Sequence, residues 1–310
     1  MTARSVAARG VTARLKRKYD NRGAGEKVFD IIIIAFLCAL IVVTLYPFVY
    51  SAFASFSDGN LLTKHRGLLF HPLGFATDAY EKVFKNPMII SGYQNTLLYL
   101  SLGTTLNVLL NSMGAYVLSR KSFKPRNVIM LFITFTMFFN GGLIPTFLLV
   151  RSIGLYDSFL AMIFPTAINT WNLIIMRTAM LEVPDSLEES ARVDGANDFV
   201  ILFRIILPVS QAVLAVIILF YAVGHWNSWF NAMIYLRDRG KFPIQLVLRE
   251  ILISNSTDSM TTGLPTDTSA VIGESIKHAT MIVATVPVLV IYPMLQKYFV
   301  KGIMIGSIKG

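Results

Sequence analysis

Six apolar runs dominate this sequence, at about 28–50, 93–118, 128–150, 158–179, 209–229 and 279–300. A helical stretch of about 18 or more apolar residues is long enough to cross the hydrocarbon core of a bilayer. One soluble core cannot hide six of them. Only 15% of the residues are charged and the mean hydropathy is +0.59, against about 25% charged in soluble domains. The expected fold class is an all-α membrane protein with six transmembrane helices.

The net charge is +10, and its distribution is informative. Eight Lys/Arg precede Val28, including Arg14, Lys16, Arg17 and Lys18. The short segment 119–127 holds Arg120, Lys121, Lys124 and Arg126 with no acid, whereas 151–157 holds Arg151 with Asp157. Basic residues in short loops mark the cytoplasmic side. Both termini are therefore expected in the cytoplasm, and Lys301 and Lys309 agree with that. Beside a span, such a tail meets lipid headgroups rather than nucleic acid. The first run is longer than the 7–15 residues typical of a cleaved signal, so it reads as a retained span despite Ala52-Phe53-Ala54 after it. Cys38 is the only cysteine, which excludes an internal disulfide or a cysteine metal cluster.

The chain divides into a basic cytoplasmic tail (1–27), a six-span domain (28–300) that includes a cytoplasmic loop at 180–208, and a short C-terminal tail (301–310). Outer loops are expected at 51–92 and 230–278, each too short for a separate domain. Asn140-Gly141-Gly142 and Pro145 interrupt the third run, so a kink is expected there.

The loop between the fourth and fifth runs carries six acidic residues from Glu182 to Asp198. Asp185 can cap a first helix with Glu188 three residues on. Leu187, Ala191 and Asp194 share a face. Gly195 can stop that helix by taking the left-handed conformation, and Asn197 or Asp198 can cap a second through Phe199, Phe203 and Ile206. Pro208 then bends the chain into the fifth run. A first helix of roughly ten residues is marginal alone in water and needs a partner surface.

The spacing Glu189-Ser190-Ala191, Gly195, Ile205, Leu207-Pro208 resembles the EAA loop of ABC-importer permease subunits. Serine stands at position 190 where alanine is usual. From the first run to Gly310 the chain is similar to permeases of carbohydrate importers of the maltose-importer type. Leu143-Ile144-Pro145, Asp157-Ser158, Trp226-Asn227, Pro287 and the ending Gly302…Gly306-Ser307-Ile308-Lys309-Gly310 carry that likeness. The ending also resembles permeases associated with complex oligosaccharides. The resemblance implies a type I importer transmembrane domain in a bacterial plasma or inner membrane. It implies a heterodimer with a second permease, two ATP-binding subunits that hold ATP and Mg, and an extracytoplasmic solute-binding protein. Glu189, Ser190, Ala191, Gly195, Ile205, Leu207 and Pro208 would then form the ATPase-coupling element. The C-terminal tail would reach the ATPase pair.

Independently of that resemblance, no Asp or Glu lies in the interior of a run, where ion-driven carriers place such groups; Asp30 is at the edge of the first. His225, near the outer end of the fifth run, is the only interior side chain that titrates near neutral pH. There is no phosphate-cradling G-x-x-x-x-G-K-[ST] loop, no catalytic nucleophile–base pair and no metal cluster. A docking loop without an engine points to an ATPase partner and to a non-catalytic transport subunit that binds no cofactor itself. Asn169 and Asn172 share a face of the fourth run with Met176. Tyr221 and His225 share one on the fifth, followed by Trp226 and Asn227. Amides and aromatic faces suit an oligosaccharide path, although such groups also join membrane helices, as expected for Asn107 and Asn111. The rival readings are a permease for a non-sugar solute and a stand-alone secondary carrier.

Cysteines placed at Ser122 and Lys309, in a Cys38-free background, should resist an impermeant thiol reagent in intact cells, while one at Thr262 should react. Rapid labelling at Ser122 with none at Thr262 would invert the topology.

Overall fold

A computed structural model describes residues 23–253 and 274–290 of the chain. The tails 1–22 and 301–310, the outer-loop segment 254–273 and the end of the sixth run lie outside the described residues. Among those described, the secondary structure is helical and no strand is formed. One isolated bridge pairs Ser57 with Phe75.

Helix α1 (Ala24–Ser55) is followed by the short α2 (Gly59–Lys64) and α3 (Asp78–Lys85). The long α4 (Pro87–Ser119) comes next, then α5 (Arg126–Phe138) and α6 (Leu143–Ser152). Two 3₁₀ turns lead into α7 (Thr170–Leu181). The loop after α7 holds α8 (Asp185–Val193), α9 (Asp198–Ile201), a π turn at Leu202–Ile206, and α10 (Leu207–Val209). The chain continues through α11 (Gln211–Trp226), α12 (Trp229–Tyr235) and α13 (Ile244–Ile253). A last helix, α14, covers 274–290.

Among the described residues, by length and composition, one helix alone is long and apolar enough to cross a membrane, Gly25–Ser55, and three bent pairs qualify only when each pair is taken together. None of the apolar window of that first helix is buried within the chain. Its C-terminal end is tied down. Tyr46 Oη accepts the Leu69 N–H at 2.7 Å, and Ser55 Oγ lies 2.8 Å from Tyr80 Oη.

The bends have local causes. In the third run the interruption is a full elbow, with α5 and α6 meeting at 115°. Gly142 adopts φ +85°, and its N–H is taken by Asn140 Oδ1 at 2.9 Å. At about 1.5 Å per residue, neither arm alone spans about 30 Å. The fourth run bends by 52° between its 3₁₀ turns, which contain Pro165, and α7. The fifth turns by 92° at Ser210, just past Pro208.

Helix α4 is the centre of the fold and packs most extensively against α11 and α7. Its outer half enters one apolar cluster through Ile89 and Tyr99, with Met162, Leu236, Phe242 and Ile244. Its inner half enters a second through Ala115, Tyr116 and Leu118, with Met176, Met180, Ala191, Ile206 and Ile217. Between them lies a buried polar layer of Thr104, Asn107, Asn111 and Ser112. The outer half also holds the turn before α13. Asn95 Nδ2 donates to Gly240 O at 2.7 Å, Tyr99 Oη to Lys241 O at 2.8 Å, and Ile244 N–H to Thr96 Oγ1 at 2.9 Å.

Asp157 pins that same turn to the segment after α6. It sits at φ +56°, a conformation Asp tolerates better than most residues. Its Oδ1 accepts the N–H groups of Arg237 and Asp238 at 3.0 and 3.1 Å, and these hold its carboxyl below the usual carboxylate range.

Small residues let membrane helices approach closely. A Cβ on Gly103 would collide with the His225 imidazole, whereas one on Gly224 would meet nothing within 4 Å. Gly103→Ala should therefore destabilise the α4–α11 contact by about 1–3 kcal/mol, as overpacking does. Gly224→Ala should not. Melting temperatures of the detergent-purified variants decide this, and equal values would contradict the packing described.

Candidate functional site

Two polar constellations stand out, a cleft within the helices and the loop that carries α8. The cleft is built on breaks in regular structure. The 3₁₀ turns before α7 leave carbonyls without helical partners, which in a membrane must be satisfied by neighbouring side chains or water. Asn107 on α4, 0% exposed, donates from Nδ2 to Thr166 O at 2.7 Å and Ala167 O at 2.8 Å. Both amide hydrogens are thereby used, so its Oδ1 is left to accept from His225 Nε2 at 2.6 Å, which places the ring proton on Nε2. Asn169 caps α7, its Oδ1 accepting the Asn172 N–H at 3.1 Å. Tyr221 Oη accepts the Asn169 N–H at 3.0 Å and donates to Asn111 Oδ1 at 3.4 Å.

These groups border a cleft of about 310 Å³ lined by Asn169, Asn172, Tyr221, His225, Ser228 and Asn231, with Met162 and Phe220 among its apolar walls. Its lining includes no Lys, Arg, Asp or Glu. It offers amide, phenol and hydroxyl groups, suited to a neutral polar solute. Four of the six residues anticipated for a path meet here. Trp226 and Asn227 do not. They border a different, mostly apolar cleft of about 370 Å³ with Leu100, Gln245 and Thr285. The reason is helical geometry: each residue advances roughly 100° around the axis, so positions 221 and 225 share a face that 226 leaves. Asn107 and Asn111 bind helices together, as their burial requires. No group of three or more His, Cys, Asp or Glu able to hold a metal occurs among the described residues.

The loop after α7 is a helix–turn–helix with a well-defined turn. Helix α8 ends in a Schellman motif. Gly195 adopts φ +83°, its N–H bonds Arg192 O at 3.0 Å, and the Ala196 N–H bonds Ala191 O at 2.9 Å. Asn197 caps α9 through Val200 N–H at 2.9 Å. Asp185 does not cap α8 as the sequence suggests. Pro184 occupies the cap position without a side-chain bond, and Asp185 turns to Lys121 Nζ at 2.7 Å. That bond from Lys121 holds the Asp185 carboxyl below its ordinary range. With Pro184 at the cap position, Asp185 is the first helical residue and its carboxylate is left to pair with the adjoining basic segment.

Neighbouring acids on α8 point in opposite directions. Glu189 and Ser190 are exposed, and Ser190 Oγ only bonds back to Ser186 O. Ala191 and Leu207 are buried, Ile205 is half-buried and Pro208 is exposed. Glu188, on the inner side with Ala191, is 12% exposed and pairs with Arg120 at 2.5 Å. Arg192 joins Glu188 at 2.9 Å and Asp198 at 2.6 Å, which raises the Arg192 pKa above its ordinary value, chiefly through Glu188. The sequence motif singles out Glu189 and passes over Glu188, Arg120 and Arg192. The usable signal was the i, i+3 relation of Glu188 to the apolar Ala191, beside an arginine closing α4.

Arg177 ties the end of α7 to α4. It donates from Nε to the α4 carbonyl of Leu118 at 2.9 Å.

A family model described as "Binding-protein-dependent transport system inner membrane component" matches residues 110–305. The polygalacturonan/rhamnogalacturonan transport system permease protein YtcP of Bacillus subtilis (strain 168) is 41% identical, over 92% of this chain and 99% of that one. Protein LplC of the same organism is 39% identical, over 94% and 97%. A chain from the crystal structure of a bacterial ABC transporter involved in the import of the acidic polysaccharide alginate superposes with a TM-score of 0.83 at 31% identity, over 90% of this chain and 99% of that one.

Replacing Asn107 with Leu would strand two carbonyls and the His225 N–H in a buried layer, at about 1–3 kcal/mol for each unsatisfied group. Asn227→Leu removes only a back-bond to Val223 O. Thermal unfolding of the two purified variants should show a large loss for the first and little for the second; a tolerated Asn107→Leu would contradict the bonding pattern.

Proposed function

The chain belongs to the family of binding-protein-dependent transport system inner membrane components, and from that premise we infer that it forms half of the translocation path for an oligosaccharide and couples to ATP hydrolysis through the loop of α8 to α10. It is an ABC-importer permease with the type I transmembrane-domain fold, a membrane subunit that does no catalysis itself. Such a permease works with a second permease, an ATPase and a binding protein. The finer assembly proposed is a heterodimer with two ATP-binding subunits, which hold ATP and Mg, and an extracytoplasmic solute-binding protein.

One observation carries the coupling role: α8 turns Glu188 inward while Glu189 and the apolar Leu187 and Val193 face outward, Val193 at 88% exposure. A nine-residue helix is marginal alone, and exposed apolar side chains on a charged loop mark a contact surface. Phe199, on α9, adds to that surface. A cleft in a soluble ATPase suits it. Glu189 is poised for a polar contact there, and Gly195 sets the angle between the two arms.

The substrate class follows from the cleft on α7 and α11. Asn169, Asn172, Tyr221 and His225 supply hydrogen-bonding groups beside Phe220, the mixture that sugar hydroxyls and ring faces use. The relatives named for saccharide transport support the same reading. A non-sugar solute is less well served by them, and a stand-alone carrier is disfavoured because no carboxylate lines the cleft.

Glu189→Lys should weaken ATPase association or uncouple hydrolysis from uptake in the reconstituted complex, leaving sugar binding by the solute-binding protein unchanged. Gly195→Pro should be more harmful than Ser190→Ala, because proline fixes φ near −65° where the backbone has φ +83°. Normal assembly and transport by both Glu189→Lys and Gly195→Pro would remove the loop from the coupling role.

A further inference from the structure

The cytoplasmic ends of α4 and α7 cap one another. Arg177, on α7, donates to Leu118 O near the end of α4 at 2.9 Å. Arg120, just past α4, donates from Nη2 to Met180 O near the end of α7 at 2.8 Å. Each arginine thus satisfies a carbonyl that the other helix leaves without an intrahelical partner. Arg120 is 10% exposed and lies over the Tyr116 ring at 5.0 Å. Its remaining charge meets Glu188 of α8 at 2.5 Å, and Tyr116 Oη also donates to Glu188 at 3.4 Å. Arg192 carries the chain of charges on to Asp198 of α9.

Two ion pairs join α8 to the segment after α4, and they differ in kind. Lys121 and Asp185 are well exposed, and such a pair contributes little. Arg120 and Glu188 are largely removed from water. The forked guanidinium satisfies a carboxylate and a carbonyl at once, an arrangement a lysine cannot copy. Breaking such a pair leaves an uncompensated buried charge.

We propose that Arg120 and Glu188 are positioning residues that lock α8 to the cytoplasmic end of α4, so that loop motion is delivered into α4 and through it to the cleft. The continuation is visible in the helix itself. Nine residues before Arg120, α4 carries Asn111, bonded to Tyr221, and thirteen before it Asn107, bonded to His225. A displacement of α8 therefore reaches both cleft residues through a helix that does not enter or leave the loop covalently. Of the two covalent routes out of the loop, the one into α11 passes through the 92° turn at Ser210.

This inference rests on the reading of α8 as the ATPase-coupling element. The test uses the complete reconstituted complex in a Cys38→Ser background and reads solute moved per ATP hydrolysed. It also reads the distance between spin labels at Ser122 and Ser186, with and without trapped ATP. In the parent complex the label distance should be the same in both states. Glu188→Gln should assemble and hydrolyse ATP, yet move several-fold less solute per ATP, with a broadened label distance. Arg120→Lys should fall between it and the parent, and Asp185→Asn should match the parent. A parental ratio and distance in Glu188→Gln, with Glu189→Lys still uncoupled, would overturn the lock while leaving the coupling reading intact. If Glu188→Gln and Glu189→Lys both couple normally, the loop is not the coupling element and the lock falls with it. Should Glu188→Gln fail to assemble, Arg120→Lys decides: an intermediate ratio supports the lock and a parental ratio overturns it.

Discussion

The amide of Asn107 is the interaction on which the rest of this structure depends. It lies at 0% exposure between two apolar clusters and fills three hydrogen-bonding needs at once, two carbonyls before α7 and the imidazole of α11. Membrane helices have no hydrophobic force between them, so close packing and hydrogen bonds decide how they associate. Here the hydrogen bonds also allow the chain to be irregular where a cleft is wanted. Without Asn107 the turns before α7 would expose unpaired backbone in a region without water, and such backbone is tolerated only where something satisfies it. Gly103, one turn away, gives His225 the room to reach that amide.

On the proposed reading, the cleft and the loop of α8 to α10 are parts of one device. Helix α4 holds the cleft residues midway along its length and the loop at its inner end. The loop is rigid for local reasons: a Schellman turn at Gly195, an Asn197 cap, and charges paired from Arg120 through Glu188 and Arg192 to Asp198. Rigidity is useful in an element that must pass on a displacement, because a flexible loop would absorb it. The outward residues of α8 remain available for a partner, and its inward residues commit it to the membrane domain.

Much of this was legible in the sequence, and the exceptions have physical causes. The turn residue Gly195 acts locally, so spacing located it; spacing narrowed the second cap to Asn197 or Asp198, and the structure uses Asn197. The break at Asn140-Gly141-Gly142 was visible too, but not its 115° extent, because glycine permits many angles and tertiary packing selects one. Asp185 looked like a helix cap and was drawn away by Lys121, a residue far off in sequence. The division of labour between Glu188 and Glu189 is hinted at by the i, i+3 spacing of Glu188 and Ala191, but the partner Arg120 on the far side is set by tertiary packing of α8 against α4. Trp226 and Asn227 were grouped with the cleft by proximity in sequence, yet a single residue step carries them to the other side of α11. The basic and C-terminal tails lie outside the described residues, so the expectations placed on them stand as expectations.

The most direct test of this account is photo-crosslinking from a single site on the outward side of α8. A photoreactive residue at Val193, in membranes containing the whole complex, should capture the ATP-binding subunit, with a yield that changes when ATP is trapped. The same group at Ile217, buried in the inner cluster, should capture no soluble subunit. Crosslinks from Val193 that reach only membrane subunits, or none that respond to ATP, would contradict the claim that this loop joins the membrane domain to its ATPase.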